Sequence, residues 1–189
     1  MRKLIFIVHT SLDGYIANTD GSFDGLNPGS NNLDYVCSIA EDADTILAGR
    51  TTFQLLNTYW PDAFKKPEAS LSEVRYSTWY NSTRKVIAST TIDAPDKSTA
   101  IIHKDIPEYI RKLKQKKGKS IVIFGSPALF QSILTFDLID EYHIILYPVI
   151  LGDGIPLFKG NYNKQEFFFS GITPLDNGEV ALKCLTGRR

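Results

Sequence analysis

The sequence has few cysteines, no excess of either charge and no long apolar run. Its 189 residues include two cysteines, Cys37 and Cys184, which are far apart and match no metal or redox spacing. A disulfide scaffold is not expected in a chain of this length, so we predict reduced thiols. Lys+Arg and Asp+Glu each total 21, which leaves no basic excess of the kind that marks nucleic-acid binding.

The apolar stretch near the N-terminus is too short for a secretion signal or a membrane span. It begins at Leu4 and ends before Thr10, whereas a spanning helix needs roughly 20 apolar residues. We therefore expect a cytoplasmic protein with no membrane partner.

Strand-like and helix-like segments alternate along most of the chain. Alternation of this kind predicts an α/β fold with a mainly parallel central sheet and helices on both faces. Near the C-terminus, Asp176-Asn177-Gly178 lies between two strand-like runs and predicts an antiparallel hairpin. No linker or repeat interrupts the pattern, so we expect one domain over residues 1–189. The predicted strands cover 3–9, 44–49, 84–89, 99–103, 120–125 and 141–149, and the predicted helices cover 32–43, 105–118 and 126–134 with a further helix starting at Arg50.

Residues 57–83 show neither pattern clearly and are rich in aromatic side chains. We predict an irregular segment there. Two interpretations stay open at this point, a surface segment docked by its aromatic residues and a wall of a ligand cleft.

Three of the predicted strands end in residues that suit phosphate binding. In an open α/β sheet, ligands bind beyond the carboxyl ends of the strands, where glycine allows close approach and helix starts offer free N–H groups. Each of these strand ends also fits ordinary helix capping or a turn. The chain lacks the G-x-G-x-x-G and G-x-x-x-x-G-K-[ST] motifs, so an ordinary Rossmann site or P-loop is not predicted. The three sets are Gly49, Arg50, Thr51 and Thr52; Ser89 and Thr90; and Gly125, Ser126, Pro127 and Ala128.

Four segments of the sequence resemble those of a known family. "ILAGRTTF" resembles the Gly-Arg-x-Thr-aromatic signature of dihydrofolate reductases, and "VIFGSPALFQSIL" is similar to their strand–Gly-Gly–helix segment. "SLDGYIA" (11–17) and "LIDEYHIILYPVILGDGIPLF" (138–158) are closer to the reductase domain of bifunctional riboflavin biosynthesis enzymes and its stand-alone relatives. The resemblance runs from residue 3 to about residue 185 and implies a dihydrofolate-reductase-like fold.

The resemblance also implies that the chain binds NADPH. It places Gly49, Arg50 and Thr52 at the cofactor phosphates, with Thr51 in the same cofactor-binding segment, and Ser89 and Thr90 near the adenosine ribose and its 2′-phosphate. It places the segment Gly125, Ser126, Pro127, Ala128 and Leu129 along the diphosphate and nicotinamide. Gly125-Ser126 departs from the Gly-Gly pair of dihydrofolate reductases.

Two aspartates are the candidates for the catalytic acid. Asp13 follows the first strand within an Asp-Gly turn, and Asp34 falls in the first turn of the next helix, where it also complements the helix dipole. Dihydrofolate reductases have an acid near the start of that helix. Burial beside a nicotinamide would raise the pKa of the true acid. Asp24 is a weaker third candidate, and the three histidines show no metal spacing, so we predict no metal.

The leading functional hypothesis is an NADPH-dependent reductase of a small heterocycle, either a pterin-like ring or an aminopyrimidine carrying a ribosyl phosphate. Two alternatives stay open, a non-catalytic nucleotide-binding module and a true dihydrofolate reductase. The stand-alone relatives imply a homodimer, for which the three consecutive phenylalanines of "EFFFSGITPL" offer an interface.

Overall fold

An eight-stranded sheet forms the centre of the structure, a computed structural model that describes residues 1–92, 95, 99–160 and 164–187. The strands are β1 (Leu4–Thr10), β2 (Tyr15–Ala17), β3 (Ala43–Gly49), β4 (Arg84–Ala88), β5 (Thr99–Ile102), β6 (Ser120–Phe124), β7 (Glu141–Leu146), β8 (Ile155–Pro156), β9 (Phe167–Pro174) and β10 (Val180–Thr186). The helices are α1 (Asn32–Ala40), α2 (Arg50–Ala63), α3 (Leu71–Ser82), α4 (Ile106–Gln115) and α5 (Pro127–Ile133). Short 3-10 turns lie at Leu134–Phe136 and Asp176–Gly178.

Six neighbouring strands of the large sheet run parallel, in the order β5-β4-β3-β6-β1-β7. β10 pairs with β7 in the antiparallel direction, and β9 pairs with β10 in the same way. The predicted architecture, a mainly parallel α/β sheet that closes with an antiparallel hairpin, is confirmed. Because the six strands are parallel, their carboxyl ends all lie along one edge of the sheet.

The central strands of the sheet are buried on both faces, which explains why they are apolar at nearly every position. Along β1, Phe6 faces one hydrophobic cluster together with residues of α4 and α5. Ile7 faces the other cluster, which includes residues of α1, α2 and α3. Both side chains are 1% exposed.

The prediction of an irregular segment over residues 57–83 was wrong. α2 continues to Ala63 and α3 occupies most of the remainder. Ser70 begins α3 with a capping box, in which its hydroxyl accepts the Glu73 N–H at 3.2 Å and the Glu73 carboxylate accepts the Ser70 N–H at 2.8 Å. The rings of Trp60 and Tyr76 lie 4.2 Å apart, so the aromatic residues dock these two helices together.

The long segment between β1 and α1 contains β2, which pairs with β8 in a separate two-stranded sheet. This small sheet was not predicted. The hairpin between β9 and β10 is confirmed, and Asn177 has a φ of 61° in its turn. Together these connections surround the carboxyl ends of β1 and β7.

Candidate functional site

The structure brings the three predicted phosphate-binding segments together at the carboxyl edge of the sheet. β4, β3 and β6 are consecutive neighbours, so the segments that follow them are adjacent. The Gly49 N–H donates to Ser126 Oγ at 3.1 Å, which joins the ends of β3 and β6. Arg50 Nη1 donates to Thr91 Oγ1 at 2.7 Å, which joins the end of β3 to the segment after β4.

The first turn of α2 offers an anion site. Gly49 precedes it in an extended conformation, and no side chain caps the helix. Its first backbone N–H groups have no partner within the helix and lie at the positive end of the helix dipole. Arg50 is exposed in the same turn, Thr51 is exposed and Thr52 is half-buried. A cation beside uncapped N–H groups is suited to bind a phosphate.

The turn after β6 leaves open space in front of its backbone. Gly125 and Ser126 both have a φ of 51°, and a Cβ placed on Gly125 would meet no atom within 4 Å. Ser126 stands at the N-cap position of α5, as predicted, but its side chain makes no cap hydrogen bond. Its hydroxyl faces Gly49 instead. A left-handed backbone with free space in front suits close approach by a flat ligand.

The remaining predicted cofactor residues differ in exposure. Pro127 is half-buried at the start of α5 and Ala128 is exposed, whereas Leu129 is 4% exposed and belongs to the hydrophobic core. Ser89 joins the segment after β4 to β5, because its N–H donates to Ile102 O at 3.0 Å. Thr90 is exposed.

Sequence reasoning missed two residues at this part of the site. The Thr91 hydroxyl accepts from Arg50, and the Thr91 N–H donates to Ser89 Oγ at 3.2 Å. His103 Nδ1 lies 2.9 Å from Ser89 O. Thr91 directly follows the predicted Ser89-Thr90 pair, so extending that motif by one residue could have found it. No sequence signal marks His103.

A second group of polar residues lies next to these segments, at the carboxyl ends of β1 and β7. His9 Nδ1 is 2.8 Å from the Tyr147 hydroxyl. Asn32 Nδ2 donates to that hydroxyl at 3.2 Å and to Glu179 Oε1 at 3.3 Å. The Gly29 N–H also donates to Glu179 Oε1, at 2.9 Å. We call His9, Asn32, Tyr147 and Glu179 the His9 cluster, and none of its members was predicted as a site residue.

Burial determines the protonation states within the His9 cluster. Glu179 is 1% exposed, and its Oε2 is sealed from solvent without a hydrogen-bond partner among the residues described. Desolvation, and secondly the Glu179 charge, raise the pKa of Tyr147. Desolvation lowers the pKa of His9 to about 4. At neutral pH the cluster therefore holds a protonated tyrosine and an uncharged imidazole.

The carboxylate of Asp13 is exposed and tethers a loop. It accepts the Ser11 hydroxyl at 2.6 Å, the Gly152 N–H at 2.8 Å and the Leu151 N–H at 3.2 Å. These hydrogen bonds, led by that from Ser11, lower the pKa of Asp13. The shift is opposite to the one expected for a buried catalytic acid.

Asp34 lies on the surface between α1 and α3. It is bonded to the Ser72 hydroxyl and lies 3.7 Å from Arg75 Nη1. Two residues earlier on α1, Asn32 is 4% exposed and belongs to the His9 cluster. The predicted catalytic residue Asp34 therefore lies about half a helical turn from Asn32, the side chain of α1 that reaches the His9 cluster.

A cavity of about 330 Å³ lies away from these groups. Its lining includes Met1 and Leu138, which precede β1 and β7 and so mark the amino ends of those strands. In the part of the chain that the structure describes, no three His, Cys, Asp or Glu side chains form a group that could hold a metal ion. No helix in that part is long and apolar enough to cross a membrane.

Comparison with known proteins gives a family match over nearly the whole chain. The family model described as RibD C-terminal domain matches residues 2–181. The uncharacterised protein YyaP of Bacillus subtilis (strain 168) is 32% identical over 159 residues, which are 83% of this chain and 80% of YyaP.

Solved structures show the same fold. A protein of Shewanella sp. PV-4, named as a candidate riboflavin biosynthesis protein, has a TM-score of 0.76 at 24% identity, with 98% of this chain and 99% of that chain covered. The Thermotoga maritima diaminohydroxyphosphoribosylaminopyrimidine deaminase/5-amino-6-(5-phosphoribosylamino)uracil reductase has a TM-score of 0.69 at 15% identity, with 98% and 56% covered. Dihydrofolate reductase from Enterococcus faecalis, complexed with NADP(H), has a TM-score of 0.64 at 12% identity, with 98% and 97% covered.

Proposed function

Because the chain belongs to the family of RibD C-terminal domains, we propose that it is an oxidoreductase that uses NADPH to reduce a small heterocycle. The substrate is an aminopyrimidine carrying a ribosyl phosphate, similar to 5-amino-6-(5-phosphoribosylamino)uracil, or a pterin-like ring. The name of the Thermotoga maritima neighbour includes a reductase of the first kind. The Enterococcus faecalis neighbour was solved with NADP(H).

The observation that carries this proposal is the joining of three strand ends at one edge of the sheet. The hydrogen bond from the Gly49 N–H to Ser126 Oγ and that from Arg50 to Thr91 connect all three segments. A dinucleotide carries several phosphates and two bases, so it needs such a row of neighbouring contacts rather than one helix start.

The residues present fit NADPH. The uncapped first turn of α2 and the exposed Arg50 would hold phosphate groups, and the open backbone at Gly125 would admit a flat ring beside it. NADPH, when bound, supplies the hydride. The protein's part is to place the substrate against it and to keep the two in a productive orientation.

Reduction of the substrate also needs a proton, and its donor is part of the proposal. Asp13 and Asp34 are the predicted acids, and the structure gives both carboxylates hydrogen-bond partners outside the His9 cluster. A proton from water or from the substrate itself is the alternative when neither aspartate acts.

Cofactor binding and turnover test the function separately. NADPH and NADH are titrated into the protein by calorimetry, and loss of NADPH absorbance is followed with panels of aminopyrimidine ribosyl phosphates and dihydropterins. We expect NADPH to bind and an aminopyrimidine to be reduced. Binding without consumption of any substrate would favour a non-catalytic nucleotide-binding module, and reduction of dihydrofolate alone would favour a true dihydrofolate reductase. Failure of both cofactors to bind would contradict all of these functions.

A further inference from the structure

His9 lies beside the turn where the flat part of the cofactor is proposed to bind. The Gly125 N–H donates to Ile7 O at 2.9 Å, and His9 follows two residues later on β1. Ile7 and His9 point to the same face of the strand, because side chains alternate along it. The imidazole therefore stands next to the Gly125-Ser126 turn, on the side covered by α1.

The hydrogen bonds of the His9 cluster leave one donor unused. Asn32 donates one N–H to the Tyr147 hydroxyl and the other to Glu179 Oε1. The Tyr147 hydroxyl then has a single proton of its own. Glu179 is near enough to raise the pKa of Tyr147, but its Oε1 already accepts from Gly29 and Asn32, and its Oε2 has no hydrogen-bond partner among the described residues. His9 Nδ1, at 2.8 Å, therefore accepts this proton. We assign the tautomer from this chain of hydrogen bonds. The imidazole proton is then on Nε2.

His9 Nε2 is open to a ligand. Among the residues that the structure describes, it has no hydrogen-bond partner. Among the described residues, Glu179 Oε2 is the one side-chain atom that is both sealed from solvent and without a hydrogen-bond partner. His9 Nε2 also has no partner among them, so it must be accessible to solvent. His9 as a whole is half-buried.

The charges around His9 select the kind of group that can bind there. Desolvation keeps the imidazole uncharged at neutral pH, so it attracts phosphate weakly. Glu179 adds a buried carboxyl group, linked to His9 by three hydrogen bonds through Tyr147 and Asn32, which disfavours an anion still further. An uncharged N–H donor is best matched by a carbonyl oxygen.

We propose that His9 is a substrate-binding residue that donates its Nε2–H to a ring carbonyl oxygen of a uracil-like or pterin-like heterocycle, an inference that rests on the reductase function proposed above. Tyr147, Asn32 and Glu179 act as positioning residues, because they hold the imidazole in this tautomer. The ring of the substrate then lies at β1 and β7, and its phosphate lies away from Glu179.

The tautomer is measured first, in the protein without ligand. Two-bond ¹H–¹⁵N correlation spectra distinguish a protonated Nε2 from a protonated Nδ1. We expect His9 to carry its proton on Nε2, and Tyr147→Phe, which removes only the hydroxyl, to mix the two tautomers. A proton on Nδ1 in the parent protein overturns the proposal. This measurement requires no turnover, so it does not depend on the reductase function.

Ring binding is measured next, with saturating NADPH, for two probes. 5,6-Diaminouracil carries ring carbonyl oxygens and 4,5,6-triaminopyrimidine does not. We expect His9→Phe to weaken binding of the uracil probe about 3–10-fold, the effect of one neutral hydrogen bond. We expect His9→Gln, whose amide N–H can replace Nε2–H, to restore it to within about 2-fold.

NADPH affinity and the binding of triaminopyrimidine are the controls, and both should be equal in the parent and the two variants. Equal affinity of His9→Phe and the parent for diaminouracil overturns the proposal, as does a parent that binds neither probe. Ring binding without NADPH consumption leaves the role of His9 in place and contradicts only the reductase function. If His9→Phe does not fold, the tautomer spectra and the ring binding of His9→Gln still test whether His9 donates its Nε2–H to the substrate.

Discussion

At the scale of single residues, Arg50 is the clearest candidate for a cofactor contact. It lies in the first turn of a helix that no side chain caps, and the Thr91 hydroxyl orients its guanidinium. Helix capping does not require an arginine at this position. The side chain is exposed, so a loss of charge there should affect ligand binding more than folding.

We expect Arg50→Ala to weaken NADPH binding by about 1–3 kcal/mol, the range of a charge-assisted contact. Calorimetric titration measures the change. Arg111→Ala is the matched control, because Arg111 is also an exposed helical arginine and pairs only with Glu108 among the ion pairs of the described residues. Equal NADPH affinity of Arg50→Ala and the parent would show that Arg50 does not contact the cofactor.

Asp13→Asn tests whether Asp13 stabilises the loop at Leu151 and Gly152 or acts as the catalytic acid. The hydrogen bonds to Asp13 lower its pKa in the folded protein, so its carboxylate stabilises the fold above the ordinary aspartate pKa of 3.8. That contribution is lost as the pH falls through the lower folded-state value. We expect the stability difference between the parent and Asp13→Asn, measured by urea unfolding, to be largest near neutral pH and to shrink as the pH falls below 3.8.

Asp34→Asn removes a surface carboxylate between α1 and α3. The true catalytic acid should lose about 10²–10⁴ in rate when changed to asparagine, with cofactor affinity nearly unchanged. Rates of Asp13→Asn and Asp34→Asn on a substrate that the parent reduces decide between them. Full rates in both variants would show that neither is the acid.

The sequence allowed the adjacent strand-end segments to be predicted because each is local, lying at the end of one strand or within the next few positions. The His9 cluster could not be predicted in this way. Glu179 and Asn32 are 147 residues apart, and Tyr147 and His9 are 138 apart. Only the pairing of β1 with β7 and of β7 with β10 brings them together.

At the scale of elements, periodicity identified the strands well, since buried parallel strands are continuously apolar. It failed for α3, whose apolar and polar residues are not sorted onto opposite faces. The capping box of Ser70 and Glu73 was visible in the sequence as S-x-x-E and would have placed the start of this helix.

The turn between β6 and α5 allows a test of backbone shape. Gly125→Ala introduces a Cβ at a φ of 51°, where it meets no protein atom within 4 Å. We expect a stability loss of about 1–2 kcal/mol from the left-handed backbone, together with weaker NADPH binding, because the methyl group enters the proposed ring site.

Gly160→Ala is the control for backbone strain alone, since Gly160 also has a positive φ and open space around its Cβ. Unfolding curves and NADPH titrations are compared for both variants. An equal effect of the two substitutions on NADPH affinity would show that Gly125 does not border the cofactor.

At the scale of the whole molecule, the sheet has an apolar edge. β9 pairs with β10 on one side and is last in the sheet order. Phe168, Phe169 and Ile172 on this strand are 62%, 59% and 58% exposed. An edge strand with large exposed apolar side chains favours association. Homodimer formation, like the assignment of residues 1–189 to one domain and a cytoplasmic location, stays a prediction.

We expect the protein to form a homodimer through β9, with a mass by light scattering about twice the chain mass of 21.2 kDa. Replacing Phe168 and Ile172 with lysine should give monomers, because charges at the edge oppose pairing. Leu71→Lys is the control, since Leu71 is 84% exposed at the start of α3. A parent of single-chain mass at micromolar concentration would contradict this.

The central position of β1 also has a consequence for synthesis on the ribosome. β1 emerges first, yet Phe6 pairs with Ile123 on one side and with Tyr142 on the other. At about 5–20 residues per second, these partners appear on the order of ten seconds later. During that delay an apolar strand has neither of its neighbours. A nascent chain stalled before β7 should therefore be sensitive to protease and should engage chaperones, and it should become resistant once β7 and β10 have left the exit tunnel.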